Sequence, residues 1–292
     1  MARRLNKQMV LGLTIASMIL TTIAMVVVIK LLPQRDPKPA VLEAERLVRA
    51  GDFVEAVKKY QMAARRAKAM KDMDRYAEYM VLAGETALKA GSAIDARRCW
   101  SDVMLNDPKN EAAQTRIVSL LLEFARYGDM QWSVLQTEAE KLVGINGNNA
   151  VGLHALGLAL VQQRATNPRN AEDGEKQLIA SIQADKGNPE YVNRLAQFYV
   201  TVGRHEDAER LYDQLIAELE SQRAATPPET SPAQAVATTQ PATGSSAEKL
   251  AEAYLMRGSF HTYKAERLHT QAMNAPAAQA ALLAAQSAEA EA

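Results

Sequence analysis

Cysteine and histidine are scarce in this sequence. Cys99 is the single cysteine, so the chain can form neither an intrachain disulfide nor a zinc site built from several thiolates. None of the four histidines, His154, His205, His261 and His269, is spaced as His-x-x-x-His or His-Glu-x-x-His, and no Gly-rich phosphate loop accompanies them. The sequence therefore predicts no metal site, no cofactor and no catalytic centre, and Cys99 is expected to be a buried small hydrophobe.

Aromatic residues make up only 5% of the chain, and glycine and proline number 14 and 11. Alanine, leucine, glutamate, glutamine, arginine and lysine dominate instead, and these residues favour helices over strands. Hydrophobic residues reach 48% of the sequence, which is enough for a folded core. The composition predicts an all-α protein.

An excess of charge of one sign is also missing, because 34 basic and 34 acidic side chains cancel. Basic residues are concentrated in residues 1–38, where Asp36 is the lone acidic residue, and residues 39–292 are therefore mildly acidic. A domain without a stripe of lysine and arginine is poorly suited to neutralising phosphates. We expect no nucleic-acid partner.

One long uncharged run is present, residues 9–29, with the sequence MVLGLTIASMILTTIAMVVVI. A helix of this length spans roughly 30 Å, the thickness of a bilayer's hydrocarbon core. A cleavable signal peptide has a shorter apolar run followed by a small-x-small site, and a buried core helix is not usually apolar on every face between basic flanks. The sequence predicts a basic flank at residues 1–8, a transmembrane helix at 9–30 and a spacer at 31–38.

The tighter basic cluster, Arg3, Arg4 and Lys7, precedes the apolar run and favours a cytoplasmic N-terminus, although three more basic residues follow the run. In a bacterium with an inner membrane, the rest of the chain is then periplasmic. We therefore predict a single-pass inner-membrane protein that contacts the bilayer through residues 9–29.

Beyond the spacer, one pattern recurs: a glycine, an alanine five residues later and an aromatic residue four after that. Its three copies are Gly51, Ala56 and Tyr60; Gly91, Ala96 and Trp100; and Gly203, Ala208 and Tyr212. The alanine and the aromatic residue share one face of a helix. The pattern resembles the tetratricopeptide repeat (TPR), a pair of helices, A and B, of about 34 residues in which the glycine forms the turn between them.

The second copy is the fullest, with Gly84 in helix A and Pro108 in the expected first turn of the next repeat. Degenerate copies turn at Gly128 or contain Gly157 in helix A. The resemblance implies a right-handed TPR-like solenoid of helical hairpins, with about five repeats over residues 39–222.

The composition changes after the last repeat. Residues 223–246 are rich in Thr, Pro, Ala and Ser, and we expect a disordered low-complexity linker because such a segment buries little apolar surface. Helical periodicity returns over residues 247–292, which predicts a further helical hairpin with the Ala-rich stretch 276–292 as its second helix. Because no polar capping helix is evident, we also expect the chain to be the N-terminal part of a longer repeat protein.

TPR proteins bind partners on the concave surface formed by their A helices. The resemblance assigns eight residues to this partner-binding surface: Val81, Glu85, Val118, Leu122, His154, Leu158, Asn193 and Gln197. Chaperone-binding TPR domains hold a C-terminal carboxylate with lysine, asparagine and arginine on their A helices. The matching positions of the first two repeats hold Val41, Glu45, Val81 and Glu85, so this clamp is absent.

The leading hypothesis is a non-enzymatic, membrane-anchored scaffold that binds a protein or peptide partner in envelope biogenesis, secretion or complex assembly. The layout is similar to that of the anchored accessory subunit of bacterial protein translocation. Two alternatives stay open: the anchoring half of a larger enzyme or export protein that extends beyond residue 292, and a eukaryotic organelle receptor with cytosolic repeats. The sequence leaves the oligomeric state open.

Overall fold

A computed structural model describes residues 15–23, 25–26, 36–126, 132–225, 246–274, 286–288 and 290 of the chain. All regular elements within these residues are helices, as the composition predicts. The chain divides into two compact units, unit 1 (Met1–Glu123) and unit 2 (Phe124–Ala292), and each is described by itself.

Unit 1 contains four complete helices and most of a fifth: α1 (Lys38–Ala50), α2 (Phe53–Ala69), α3 (Met73–Lys89), α4 (Ala93–Asn106) and α5 (Glu111–Arg126). Each of α1, α2 and α3 packs against the helix that follows it in the chain. Short turns separate these helices, so the chain reverses direction at each turn and forms successive hairpins.

Glycine and a capping side chain produce the A-to-B turns of unit 1. Gly51 and Gly91 both have φ of +80°, a left-handed conformation that glycine adopts without steric cost. The following helix begins two residues after each glycine, and the residue between the glycine and that helix caps it. Asp52 accepts a hydrogen bond from the backbone N–H of Glu55, and Ser92 accepts one from the backbone N–H of Asp95. Each turn therefore both ends one helix and starts the next.

Small residues and one large aromatic residue fill the interior of the second hairpin. Ala96 is fully buried, and Trp100 is 1% exposed. The indole of Trp100 donates its Nε1–H to the carbonyl oxygen of Val81 at 3.2 Å. The ring lies so close to Gly84 that a Cβ there would be 2.3 Å from Nε1. Gly84 thus makes room for the indole. In the first hairpin, Ala56 and Tyr60 occupy the equivalent buried positions.

Unit 2 continues with α6 (Trp132–Ile145), α7 (Ala150–Gln162), α8 (Arg169–Ala184), α9 (Pro189–Thr201), α10 (His205–Ala225) and α11 (Ser246–Asn274). Each helix again packs against the next. Gly157 of α7 and Gly174 of α8 permit the closest approach, because a Cβ at Gly157 would be 2.9 Å from the backbone nitrogen of Leu178. At the α9–α10 turn, Gly203 has φ of +82°, and Ala208 and Tyr212 are buried.

Several boundaries in the structure differ from those that the sequence predicts. The spacer ends one residue early, because α1 begins at Lys38. Pro108 does not lie in the first turn of a helix: it lies in a loop, and α5 begins at Glu111, with Asn110 accepting a hydrogen bond from the backbone N–H of Ala113. Pro189, by contrast, does start its helix, with Asn188 as the cap.

The predicted segment 247–292 begins with one helix of 29 residues, α11. The hydroxyl of Ser287 donates to the carbonyl oxygen of Ala265 at 3.1 Å, so part of the following chain contacts this helix. Residues 275–285 lie outside the described residues, and the second helix of this hairpin stays a prediction. The predicted turn at Gly128 and most of the predicted linker, residues 226–245, also lie outside them.

The predicted transmembrane helix, residues 9–30, falls largely on residues that the structure does not describe. Its described residues, 15–23 and 25–26, are helical and exposed. No helix within the described part of the chain is both long and apolar enough to cross a bilayer.

Candidate partner-binding surfaces

In unit 1, the candidate surface is built on α3 and α5. Val81 and Glu85 lie one turn apart on α3 and are half-buried. Glu85 forms an ion pair with Arg116 of α5, at 2.5 Å between Oε1 and Nη2. Leu122 of α5 is also half-buried. These side chains form a mixed apolar and ionic surface.

Burial and two carboxylates raise the pKa of one phenol in unit 1, that of Tyr60. Burial raises the pKa of Tyr60, and the negative charges of Glu45 and Glu85 raise it further, while Arg49 opposes them. Glu45 lies on α1 and Glu85 on α3, so the acidic side chains of two A helices lie near the same aromatic residue. The first two A helices of unit 1 therefore present acidic groups to a common region.

Val118 differs from the other residues that the TPR resemblance assigns to unit 1, because its side chain is completely buried. Successive residues are rotated by about 100° around a helix axis, so residues close to Val118 in the sequence can face solvent while Val118 faces the core. Its neighbours Arg116 and Ser119 are half-buried and accessible. Val118 thus packs in the core of unit 1, and its side chain does not reach solvent.

In unit 2, the candidate surface is built on α7 and α9. His154 of α7 is only 2% exposed and stacks on Tyr191 of α9, with ring centroids 4.4 Å apart. Leu158, one turn further along α7, is half-buried against the core of the unit. The stacked pair joins α7 and α9, and it places His154 inside the unit rather than on its surface.

Two amides of α9 remain accessible in unit 2. Asn193 is half-buried, and its Oδ1 accepts a hydrogen bond from the hydroxyl of Tyr212 at 2.8 Å. Gln197, one turn later, is exposed. Burial raises the pKa of Tyr212 to about 12, so the phenol stays protonated and acts as the donor in this hydrogen bond. The bond fixes the orientation of the Asn193 amide.

The structure also shows a polar network around the α9–α10 turn that the sequence did not indicate. The guanidinium of Arg204 donates to Glu175 of α8 at 2.8 Å and to Asp207 of α10 at 2.5 Å, and it lies over the ring of Tyr199. The hydroxyl of Tyr199 also donates to Glu175, and burial with this bond raises the pKa of Tyr199 to about 12. Glu175 and Arg204 are 29 residues apart. No sequence spacing marks such a pair.

A second unpredicted feature is a series of polar contacts between α10 and α11. Four pairs of side chains make it up: Glu220 with Tyr254, Asp213 with Arg257, Glu209 with Lys264, and His205 with Arg267. An apolar contact between Tyr212 and Phe260 lies among them, with ring centroids 5.7 Å apart. These contacts hold α11 along the length of α10.

Among the described side chains, the cysteine and the histidines do not form a site. Cys99 is 1% exposed, and burial raises the pKa of its thiol, which accepts a hydrogen bond from Gln61. His205 accepts a hydrogen bond from Arg267, and His261 lies 3.9 Å from Glu209. The side chain of His269 lies outside the described residues. The described residues contain no group of three His, Cys, Asp or Glu side chains that could hold a metal ion.

Comparison with known proteins supports the fold. No protein-family model and no curated protein matches the chain. A tetratricopeptide repeat protein from Parabacteroides merdae has a TM-score of 0.51 at 16% identity, covering 88% of this chain and 92% of its own. MamA from Desulfovibrio magneticus RS-1 has a TM-score of 0.50 at 19% identity, covering 64% of this chain and 97% of its own. At such identities the likeness concerns the fold alone, and the predicted TPR-like, all-α fold is confirmed.

Proposed function

We propose that this chain is a non-catalytic scaffold whose A-helix surfaces bind a protein or peptide partner. One observation supports this function: six of the eight assigned side chains remain accessible or half-buried, namely Val81, Glu85, Leu122, Leu158, Asn193 and Gln197. Val118 and His154 are left out of the proposed contact set because their side chains are buried.

The two surfaces offer different chemistry to a partner. In unit 1, Val81 and Leu122 can contact apolar side chains, while Glu85 can exchange Arg116 for a basic group of the partner. In unit 2, Leu158 offers an apolar contact, and the amides of Asn193 and Gln197 can hydrogen-bond the backbone of a peptide. An extended or helical peptide with apolar side chains and a basic residue fits the surface of unit 1.

Photo-crosslinking in the native host tests this proposal, with matched controls on the B helices. A photoreactive residue at Glu85 is paired with one at Glu55 of α2, since both glutamates are half-buried and form ion pairs. A second photoreactive residue at Gln197 is paired with one at Gln214 of α10, since both glutamines are exposed. We expect partner crosslinks at 85 and 197 and few at 55 and 214. Equal labelling of both members of each pair would contradict A-helix binding.

We also propose that residues 9–30 anchor the scaffold in a bilayer, with the N-terminus cytoplasmic and the repeats outside the cytoplasm, where the partner acts in envelope biogenesis, secretion or complex assembly. The uncharged run at 9–29 and the basic cluster before it support this proposal. The test is flotation of the full chain with vesicles after alkaline extraction, compared with a variant that carries Ile19→Arg and Met25→Arg. We expect the wild-type chain to float and the variant to stay in the soluble fraction; a wild-type chain that fails to float would refute the anchor.

A further inference from the structure

We propose that one edge of unit 1 rests on the headgroup surface of an anionic lipid bilayer. This edge, called here the proximal edge, consists of Lys38 at the start of α1, residues 70–73 at the turn from α2 into α3, and residues 105–109 at and just after the end of α4. The inference rests on the anchoring proposed above.

Side-chain contacts place the three segments of the proximal edge together. Arg66 near the end of α2 donates to the carbonyl oxygen of Asp36, just before α1, at 3.0 Å. Lys68 donates to the side-chain oxygen of Asn106, at the end of α4, at 2.9 Å. The amide of Asn106 also lies 3.4 Å from the hydroxyl of Tyr76 at the start of α3. These bonds join four helix ends along one side of unit 1.

The proximal edge exposes apolar side chains. Met70 and Met73 flank the α2–α3 turn and are 51% and 39% exposed, and Leu105 is 80% exposed. Flexible thioether and leucine side chains at the surface are suited to insertion among lipid headgroups and the upper acyl chains.

The same three segments carry exposed lysines. Lys38, Lys71 and Lys109 are exposed, and within the described residues none of the three forms an ion pair with a carboxylate. The carboxylates of Asp36, Asp72 and Asp107 accept hydrogen bonds from nearby backbone N–H groups, and together with the exposed Asp74 they oppose part of the positive charge. Lysines around apolar side chains are the arrangement that anionic membrane surfaces attract.

The point at which the spacer joins unit 1 favours this edge over the opposite one. Seven residues, 31–37, separate the proposed anchor from Lys38, and a fully extended chain of that length reaches at most about 25 Å. The opposite edge, at the Gly51 and Gly91 turns, also exposes aliphatic side chains, including Ile94. It lies one helix length beyond Lys38, and the 13 residues of α1 correspond to about 20 Å. The proximal edge can therefore reach the bilayer in any conformation of the spacer, whereas the opposite edge can reach it only when the spacer is nearly fully extended.

Two positions on one helix provide a matched test. Leu105 and Ile94 lie at opposite ends of α4 and are 80% and 77% exposed. In a Cys99→Ala background of the full chain, Leu105→Cys or Ile94→Cys carries an environment-sensitive fluorophore. The protein is reconstituted into vesicles of brominated phosphatidylcholine with a minor fraction of phosphatidylglycerol, and quenching by the bromine atoms is measured.

We expect several-fold stronger quenching of the label at 105 than of the label at 94, and a clear reduction at 105 when Lys71→Glu and Lys109→Glu are added or phosphatidylglycerol is omitted. Equal quenching at both positions, or stronger quenching at 94, would overturn the proposal while leaving the anchor intact. Quenching at 105 that ignores both charge changes would overturn the role of anionic lipid. A chain that fails to float with the vesicles would refute the anchor and this inference together.

Discussion

Unit 1 and unit 2 are both built from helical hairpins, but different kinds of contact stabilise them. In unit 1, the turn glycine, the capping side chain and the buried aromatic residue lie within ten residues of one another, as at Gly91, Ser92 and Trp100. In unit 2, important contacts join distant parts of the chain: Glu209 and Lys264 are 55 residues apart, and His205 and Arg267 are 62 apart. Local sequence therefore specifies the hairpins of unit 1 more directly than it specifies the packing of α11 in unit 2.

The difference predicts where each unit is most sensitive to substitution. A hairpin built from local parts depends on the one residue that fills its interior. A helix attached through distant contacts depends on close approach and on side-chain pairs that can each be broken separately. The following substitutions test that contrast, from the largest expected effect to the smallest.

The largest effect is expected in unit 1, from Trp100→Ala. The change empties the space beside Gly84 and removes the hydrogen bond to Val81, so we expect a loss of about 4 kcal/mol in the free energy of unfolding, measured by denaturant titration. Leu105→Ala on the same helix is the control, because an exposed leucine there should change stability by less than about 0.5 kcal/mol. A similar loss from both variants would show that the interior of the hairpin does not depend on the indole.

In unit 2, Gly157→Ala should cost about 2 to 3 kcal/mol, because the new Cβ would meet the backbone of Leu178, which cannot rotate away. The control is Gly144→Ala in α6, where nothing lies within 4 Å of the added Cβ. This second change should stabilise the helix by about 0.5 to 1 kcal/mol. If Gly157→Ala were as harmless as Gly144→Ala, α7 and α8 would not pack as closely as described.

A smaller effect of the opposite sign is expected at Lys71, which has φ of +61°. A lysine in this left-handed conformation is strained, and Lys71→Gly should raise the free energy of unfolding by about 1 kcal/mol. Lys109, in the next B-to-A loop, has a backbone conformation outside the left-handed region. Lys109→Gly should therefore give no such gain in the free energy of unfolding. Thermal unfolding of the two variants measures the difference, and equal behaviour would argue against strain at Lys71.

The smallest effect is a pH dependence at the α10–α11 contact. Burial, Arg267 and Lys264 lower the pKa of His205 below its ordinary value of 6.5. The unfolded chain then binds more protons between the two pKa values, so the stabilisation is complete above 6.5 and is lost as the pH falls through the folded pKa. Hydrogen exchange of α11 at about pH 7 and about pH 5 should show weaker protection at the lower pH. His205→Gln should reduce that change, and an unaltered pH response would exclude His205 as its source.

The sequence predicted the parts that depend on local spacing. The turns at Gly51, Gly91 and Gly203 could be found because a glycine, a small residue and an aromatic residue recur at fixed distances in one hairpin. The ion pair between Glu85 and Arg116 could not be found, because nothing in the sequence says which face of one A helix meets the next.

The position of Val118 shows how sensitive surface assignment is to helix phase. No turn glycine near the start of α5 fixes its rotation, and a shift of one residue turns a side chain by about 100°, enough to move it from the surface into the core. Pro108 lies before α5 for a related reason, because the Asn110 cap, and not the proline, marks where this helix starts.

Cys99 gives the second hairpin of unit 1 a chemical reporter of its own. The thiol is the single one in the sequence, is enclosed beside Gln61, and burial keeps it protonated and therefore unreactive. Alkylation must wait until α4 separates from its neighbours, so the rate of thiol modification equals the intrinsic rate multiplied by the fraction of molecules in which the hairpin is open. The rate of thiol modification thus measures the local opening of one repeat in the natural sequence, without an introduced label.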